Sequence, residues 1–311
     1  MKFGKAIIIN IDQADLDDEI WKKLDQLVSE KVLLPKNDSR IIKEVESADC
    51  ILTGFGVELT SEVIDEATKL KYIGLLSTAY GKINTDYAAK RGIPVSNLAG
   101  YSTESVAEFT IAAILELTRG LEEGKKRGRH KNYSEVGINA WELKDSSFGI
   151  LGLGNIGQRV AELAAGFDAR VSYWSRSKKN VPYNFKDIDD LIIESDFISI
   201  NLSQTEETEK IFDKKRIKSL KPNCVVINTC PMELVDINAL DERLSKNDIY
   251  FILDHSDEMS EENLAILSKH ESCIVYPPIA YITEQARQNK QKLFINNIEA
   301  ALSGKPQNQV N

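Results

Sequence analysis

The sequence predicts an α/β protein built from two doubly wound parallel sheets. Short runs that are apolar throughout recur along the chain and alternate with helical patterns, as expected of parallel strands covered by helices on both faces. One of these runs, at residues 148–152, leads into the glycine-rich turn 152–157 and then into another helical pattern. A strand, a Gly-x-Gly-x-x-Gly turn and a helix in this order are typical of a doubly wound nucleotide-binding fold.

The first hundred residues alternate strand and helix patterns. Residues 5–10 predict a buried strand, and residues 15–30 predict a helix whose apolar stripe contains Ile20, Leu24 and Leu27. Strand and helix patterns then alternate, beginning with a strand, at 50–53, 61–68, 72–76 and 85–90, and the stretch 92–97 closes the region.

Residues 102–119 predict a buried helix because apolar side chains cover most of its circumference. These side chains are Val106, Phe109, Ile111, Ala112, Ala113, Ile114, Leu115 and Leu117. We expect this helix to join two domains and to contribute to a dimer interface.

The second half of the chain repeats the alternation and then returns through a last helix at 283–302. Its six predicted strands are 148–152, 169–174, 196–200, 224–228, 250–253 and 273–276. Six parallel strands behind a glycine turn make a complete Rossmann domain.

Composition and charge exclude several classes of protein. The net charge of -9 argues against nucleic acid or an anionic membrane as the main partner. No apolar run approaches the length of a membrane span, and the N-terminus has no signal-peptide pattern. The four cysteines are scattered without a C-x-x-C pair, which favours free thiols in a reducing cytoplasm over disulfides or a metal site. We therefore expect a cytoplasmic protein.

The glycines of the turn predict a nicotinamide dinucleotide site. Gly152 allows the tight turn, Gly154 lets the backbone approach a pyrophosphate, and Gly157 lets the helix pack close to the strand. The N-terminus of the following helix offers N–H groups and a partial positive charge to the phosphates. The alternative is a glycine-rich turn without a ligand.

The residues after the strand 169–174 favour NADP(H), with NAD(H) as the alternative. An acidic residue at this point would bind the ribose 2′-hydroxyl of NAD, but the chain has Ser175, Arg176 and Ser177. Arginine can clamp a 2′-phosphate, and the serine hydroxyls can donate hydrogen bonds to it. Otherwise Arg176, Lys178 and Lys179 are ordinary solvated loop residues.

With these motifs in place, nearly the whole chain resembles the D-isomer-specific 2-hydroxyacid dehydrogenases, in particular their glycerate dehydrogenase and hydroxypyruvate reductase branch. Besides the glycine turn, the stretches that carry the resemblance are 78–84, 92–95, 100–108, 221–222, 227–229, 234–236 and 304–308. The resemblance implies a discontinuous substrate (catalytic) domain from residues 1–99 and 281–311, a dinucleotide-binding domain from residues 100–280, a cleft between them, and a homodimer.

The resemblance also assigns further residues to the two binding sites. The additional cofactor-binding positions are Asn155, Ile156, Asn201, Leu202, Thr205, Thr229, Cys230 and Asp254. The loop Ala79, Tyr80 and Gly81 offers backbone N–H groups to a substrate carboxylate, as the glycine-rich loop of the family does.

The family's three catalytic side chains have no counterpart at the matching positions. The family arginine, glutamate and histidine correspond to Pro231, Met259 and Pro278, with Glu258 next to Met259. Because proline carries neither charge nor a side-chain proton, and a positioned acid contributes about 10²–10⁴ in rate, the family's standard mechanism cannot operate unchanged.

Several residues are candidates to replace the missing proton donor and substrate clamp. His255 follows a predicted strand, whereas His130 lies in the basic run 125–131 and His270 in a polar stretch. The remaining candidates are Lys82, the thiol of Cys230 and the phenols of Tyr80, Tyr101, Tyr276 and Tyr281. For each candidate, a packing or loop role is the alternative interpretation.

Three hypotheses about function follow. The first is an NADP(H)-dependent oxidoreductase that acts on a small 2-oxo or 2-hydroxy acid, or a related carbonyl compound, through a rebuilt active site. The second is a catalytically silent dinucleotide binder that acts as a sensor, regulator or partner subunit. The third is a non-redox enzyme, which the retained glycines and the Ser-Arg pair disfavour. Analogy with the family favours the first.

Overall fold

The computed structural model describes all residues, Met1–Asn311, and divides into two compact units. The terminal unit contains Met1–Ser102 and Thr283–Asn311, and the central unit contains Thr103–Ile282.

Twelve strands form the two sheets. They are β1 (Phe3–Ile9), β2 (Val28–Leu34), β3 (Cys50–Thr53), β4 (Tyr72–Leu75), β5 (Val95–Ser96), β6 (Ser147–Leu151), β7 (Arg170–Trp174), β8 (Asn184–Phe185), β9 (Phe197–Ile200), β10 (Val225–Asn228), β11 (Tyr250–Leu253) and β12 (Cys273–Val275).

Twelve α-helices connect or flank these strands. They are α1 (Asp18–Leu27), α2 (Ile41–Val45), α3 (Ser61–Glu66), α4 (Thr85–Lys90), α5 (Thr103–Thr118), α6 (Leu121–Arg129), α7 (Asn155–Gly166), α8 (Ile188–Glu194), α9 (Lys214–Ser219), α10 (Ile237–Leu244), α11 (Glu261–Ser268) and α12 (Glu284–Leu302). None of them is both long enough and apolar enough to cross a membrane.

Both sheets are entirely parallel and doubly wound. The terminal unit has the strand order β2-β1-β3-β4-β5, and the central unit has the order β12-β11-β10-β9-β6-β7-β8. The first order is that of flavodoxin-like sheets, and the second contains the Rossmann order. Each sheet has an apolar cluster on both faces. The predicted fold class is therefore confirmed.

The prediction of one helix over residues 15–30 is wrong at its C-terminal end. The helix α1 ends at Leu27, and Val28 begins β2, which pairs with β1 from Phe3 to Ile9. Val28 continues the helical stripe of Ile20 and Leu24, so a 3.6-residue period fits it as well as a strand does. Pairing with the buried strand β1 decides in favour of the strand.

The central sheet has seven strands instead of the six predicted. The additional strand, β8, is a two-residue edge strand whose side chains are both exposed. Because it buries no apolar face, its sequence carries no periodic signal.

The apolar circumference of α5 predicts burial on nearly all sides, but only half of its residues are buried: Ala112 is exposed, and Phe109, Leu115 and Leu117 are half-buried. Val106, Ala107, Ile111 and Ile114 are all buried, and the helix packs against α7 within the central unit. It thereby covers the helix that the glycine turn begins.

Candidate active site

Close backbone contacts require glycine at the first and last positions of the turn. Gly152 has a positive φ of +93°, and a β-carbon there would overlap the carbonyl oxygen of Asn201. A β-carbon on Gly157 would overlap the carbonyl oxygen of Gly152. The first contact holds the residue after β6 against the residue after β9, and the second holds the start of α7 against the end of β6.

Gly154 is different because its missing side chain leaves open space. No heavy atom lies within 4 Å of the position that its β-carbon would take. Gly154 is also the N-cap of α7, whose first residues are Asn155, Ile156 and Gly157. The first N–H groups of a helix have no intrahelical acceptor, so this space fits a phosphate group.

A cavity of about 290 Å³ opens beside this turn. It lies at the carboxyl ends of β6, β7 and β9, where the strand order reverses around β6, which is the place where doubly wound sheets bind ligands. The residues that line it are Gly152, Leu153, Gly154, Trp174, Ser175, Arg176, Ser177, Lys179, Asn201, Leu202, Ser203, Thr205 and Thr208. Eight of the predicted cofactor-binding residues, Gly152, Gly154, Ser175, Arg176, Ser177, Asn201, Leu202 and Thr205, lie together here.

The loop after β7 presents an exposed cation to the cavity instead of an acidic side chain. The guanidinium of Arg176 is 80% exposed and lies 3.7 Å from the carboxylate of Glu207, which is 75% exposed. The hydroxyl of Ser175 donates a hydrogen bond of 2.7 Å to the carbonyl oxygen of Ser177. Arg176 can therefore move to an anion, although Glu207 competes for it.

Thr229 and Cys230 follow β10, but the thiol of Cys230 is not reactive. It donates to the carbonyl oxygen of Ile200 at 3.2 Å, and burial raises the pKa of Cys230 to about 12. The thiol therefore stays protonated near neutral pH, which favours the packing role of Cys230 over a role in the site.

Asp254, which directly follows β11, has a buried carboxylate with one unsatisfied oxygen. Its Oδ1 atom accepts hydrogen bonds from the backbone N–H groups of Ile279 and Ala280, at 3.0 and 3.1 Å. Its Oδ2 atom has no partner. Burial raises the pKa of Asp254, against the lowering effect of the two backbone hydrogen bonds and of His255.

An unsatisfied buried acceptor fits a donor supplied by a ligand. The carboxamide N–H₂ of a nicotinamide is such a donor. Asp254 thus fits the nicotinamide end of a dinucleotide, and the open space at Gly154 fits its central pyrophosphate. The side-chain oxygen of Asn201 is a second buried acceptor without a partner.

His255 follows Asp254 at the same edge of the sheet. Its Nδ1 atom is buried without a hydrogen-bond partner and lies 3.9 Å from the Oε1 atom of Glu258. Tyr281 follows β12 and is 38% exposed. Burial raises the pKa of Tyr281, with smaller contributions from nearby acids, Asp257 first, so its phenol keeps its proton.

Two other candidates from the sequence are engaged elsewhere. The hydroxyl of Tyr276 donates to Glu116 at 2.8 Å, and burial raises its pKa. His270 precedes β12, at the opposite edge of the sheet, and its Nε2 atom lies 2.6 Å from Asp241. Neither side chain is free to serve a site at the carboxyl edge.

Pro231, Met259 and Pro278 follow β10, β11 and β12, which are neighbours in the sheet. Pro231 precedes a short 3-10 helix that begins at Met232, and Met259 packs against the apolar core. None of the three side chains can hold a charge or donate a proton.

The loop Ala79, Tyr80 and Gly81 lies after β4 in the terminal unit and is exposed. The backbone N–H groups of these three residues donate no hydrogen bond within the protein. Lys82 is also exposed. The loop therefore presents several free donors, as expected of an anion-binding segment.

Sequence reasoning missed part of the cavity wall. Leu153, Trp174, Lys179, Ser203 and Thr208 line it but were not among the predicted cofactor-binding residues. Trp174 and Ser203 lie at the carboxyl ends of β7 and β9, so strand ends were the signal that could have identified them.

Comparisons with known proteins agree with this geometry. Residues 111–280 match the D-isomer specific 2-hydroxyacid dehydrogenase family, NAD binding domain. A glyoxylate reductase of Thermococcus litoralis is 32% identical, over 94% of this chain and 90% of that protein.

Two solved structures share the fold over nearly the whole chain. An acyclic imino acid reductase in complex with NADPH and D-Arg has a TM-score of 0.87 and 28% identity, covering 99% of this chain and 100% of that one. A D-lactate dehydrogenase of Aquifex aeolicus complexed with NAD and lactic acid has a TM-score of 0.83 and 26% identity, with 96% of each chain covered. By fold, by its dinucleotide turn and by these matches, the chain belongs to the D-isomer specific 2-hydroxyacid dehydrogenase family, whose members are oxidoreductases acting on the CH–OH group of hydroxy acids.

Proposed function

We propose that this protein interconverts a small 2-oxo acid and its 2-hydroxy acid with NADP(H) as the preferred cofactor. The observation that carries the proposal is the dinucleotide cavity, which is complete at the glycine turn and lined by Arg176 without an acidic residue at the end of β7. The similarity to glyoxylate reductases supports a small carboxylate substrate.

Three groups of the cofactor would find a partner in this chain. The N-terminus of α7 and the space at Gly154 would hold the pyrophosphate, and Asp254 would accept from the carboxamide. Arg176 would pair with the 2′-phosphate in place of Glu207. The solved relative that binds NADPH supports this preference. The bound nicotinamide supplies or accepts the hydride.

The chain must then supply a proton to the substrate oxygen. Because the positions of the family acid and clamp are Pro278 and Pro231, we assign this role to His255 or Tyr281, with Lys82 as a charge near the carboxylate. Glu258 lies close to His255, with its Oε1 atom 3.9 Å from Nδ1.

A second candidate function is the reduction of an imine formed from a 2-oxo acid and an amine. The missing acid favours it, because a protonated imine brings its own proton to the nitrogen, whereas a carbonyl oxygen needs a proton from the enzyme. The solved relative described as an imino acid reductase supports this candidate.

Nicotinamide absorbance distinguishes these functions. NADPH and NADH are each mixed with glyoxylate and hydroxypyruvate, with and without an amine, in the presence of the wild type, His255→Ala or Tyr281→Phe. Oxidation of NADPH without an amine, lost in one variant, supports the first function and identifies its proton donor. Oxidation only with an amine supports the second.

The silent dinucleotide binder predicts another outcome. In that case NADPH fluorescence shows tight binding, but no substrate causes turnover. Such a result would overturn both proposed reactions and direct attention to protein partners.

We also propose that the terminal unit binds the substrate, that the central unit binds the dinucleotide, and that the chain forms a homodimer. Sedimentation equilibrium tests the last point, because a dimer has twice the chain mass of 34.9 kDa. A single species with the mass of one chain would contradict it.

A further inference from the structure

Three asparagines of the terminal unit form a closed ring of hydrogen bonds, in which Asn97 and Asn297 are buried and Asn308 is exposed. They are Asn97, directly after β5, Asn297 in α12, and Asn308 in the C-terminal segment. Asn297 donates to the carbonyl oxygen of Asn97 at 2.9 Å, and Asn308 donates to the side-chain oxygen of Asn297 at 2.7 Å. The backbone N–H of Asn97 donates to the carbonyl oxygen of Asn308 at 3.1 Å.

Every polar group of Asn97 is used, although the residue is only 4% exposed. Its side-chain oxygen accepts from the N–H of Ala99 at 3.2 Å, and its side-chain N–H₂ donates to the carbonyl oxygen of Thr78 at 2.7 Å. The ring fixes the backbone of Asn97, and the side-chain amide of Asn97 reaches from the ring to Thr78. Because Asn97 and Asn297 are buried and their side-chain amides are hydrogen-bonded, we expect this part of the ring to be rigid.

The bond to Thr78 is the first of three that hold successive carbonyl groups of the substrate loop. The hydroxyl of Ser77 donates to the carbonyl oxygen of Ala79 at 2.8 Å. The backbone N–H of Ile83 donates to the carbonyl oxygen of Tyr80 at 2.9 Å. All three peptide groups are therefore anchored on their oxygen side.

Anchoring the oxygens determines where the N–H groups point. All peptide bonds of the chain are trans, and in a planar trans peptide the C=O and the following N–H point in opposite directions. The carbonyl groups of Thr78, Ala79 and Tyr80 share their peptide planes with the N–H groups of Ala79, Tyr80 and Gly81. These are the N–H groups that have no acceptor in the protein.

We propose that Asn97 and Ser77 are positioning residues that aim the N–H groups of Ala79 and Tyr80 at the substrate carboxylate. This inference rests on the proposed function, because it assigns the carboxylate to this loop. Neither residue touches the substrate. Each acts by fixing one peptide plane, and errors of about 1 Å in such groups can reduce activity about 100-fold.

The test is the affinity for oxamate, an unreactive 2-oxo acid analogue, measured by calorimetry with protein saturated with NADPH. For Ser77→Ala and Asn97→Ala we expect oxamate to bind at least about tenfold more weakly. The KM for glyoxylate should rise by a similar factor while kcat changes less. NADPH affinity should stay within about twofold, since the dinucleotide cavity is formed by the central unit.

A matched control separates positioning from stability. Gln291 in α12 is another buried amide, 2% exposed, but it accepts from the backbone N–H of Asp17 instead of holding the loop. Gln291→Ala should lower the melting temperature while leaving oxamate affinity unchanged. If Asn97→Ala fails to fold, the oxamate affinity of Ser77→Ala tests the inference, because this variant loses only one hydroxyl group.

The outcomes distinguish this inference from the proposed function. Folded Ser77→Ala or Asn97→Ala protein that binds oxamate as tightly as the wild type overturns the inference. A wild type that binds no oxamate also overturns it. A wild type that binds oxamate but reduces no 2-oxo acid or imine overturns the proposed function alone.

Discussion

Gly154 and Gly157 lie in one turn, but a methyl group would affect protein stability at only one of the two positions. At Gly154 it enters open space, and at Gly157 it overlaps the carbonyl oxygen of Gly152. We expect Gly154→Ala to keep the melting temperature of the wild type and to lose NADPH affinity, because the methyl group occupies the pyrophosphate space. Gly157→Ala should lower both the melting temperature and the NADPH affinity, with a destabilisation of about 1–3 kcal/mol.

Thermal unfolding and NADPH fluorescence titration measure the two effects separately. Gly166→Ala is the control, because it lies at the other end of α7 and also has open space around it. Full NADPH affinity in Gly154→Ala would contradict a pyrophosphate at this turn.

Arg176 is the residue on which the choice of cofactor depends. Loss of one hydrogen-bonded contact to a charged group weakens binding by about 10- to 100-fold. We therefore expect Arg176→Ala to raise the KM for NADPH by about this factor and to leave the KM for NADH nearly unchanged.

Glu207→Gln should have the opposite effect, because it removes the carboxylate that competes for Arg176. Lys178→Ala is the control, since this exposed lysine does not line the cavity. Equal losses for NADPH and NADH in Arg176→Ala would indicate that Arg176 does not contact a 2′-phosphate.

At the level of elements, α12 connects local sequence signals to the substrate loop. Its apolar residues Phe294, Ile295 and Ile298 are buried in the terminal unit, and the same helix carries Asn297 of the ring. The N-cap Thr283 accepts a hydrogen bond from the N–H of Ala286 at 3.0 Å. The start of the helix is therefore specified locally, whereas its position is fixed by packing.

We expect Thr283→Ala to destabilise the protein by about 1 kcal/mol, because the first turn of α12 loses its cap. Urea unfolding measures this change. Thr283→Ser keeps the hydroxyl and should keep most of the stability. Equal losses in both variants would show that the methyl group, and not the cap, is responsible.

At the level of the whole molecule, ion pairs make the stability of the folded protein depend on pH. At four places, neighbouring basic side chains lower the pKa of a carboxyl group. The carboxyl groups, with their partners in parentheses, are Glu44 (Lys5), Glu104 (Arg159), Asp189 (Lys215 and Arg216) and Asp241 (Lys269 and His270). A carboxyl group whose pKa is lower in the folded state stabilises the protein above its ordinary pKa. It loses this contribution as the pH falls through the folded value.

The ordinary values are 3.8 for Asp and 4.5 for Glu. We therefore expect the free energy of unfolding to change little between pH 7 and about 5 and to fall below about pH 4.5. Urea unfolding at several pH values measures it. In Asp189→Asn, the free energy of unfolding should fall less steeply as the pH is lowered. An equally steep fall would show that the ion pairs of Asp189 do not contribute to the pH dependence.

Much of this molecule could be predicted from short stretches of sequence. The glycine turn, the buried run before it and the helix after it specify the dinucleotide site, because each signal acts within a few residues. The ambiguous end of α1 shows the limit of such patterns: Val28 fits a helix and a strand equally, and only its pairing with β1 decides.

The sequence by itself determined the two parallel sheets, the dinucleotide turn and the absence of an acidic residue after β7, because local backbone geometry and hydrophobic periodicity encode them. Only the tertiary structure decided that Asp254 keeps an unsatisfied oxygen and that Asn97, Asn297 and Asn308 meet. These features depend on hydrogen bonds between residues as far apart in the chain as Asn97 and Asn308. Packing of the whole unit creates such bonds, and no local pattern records them.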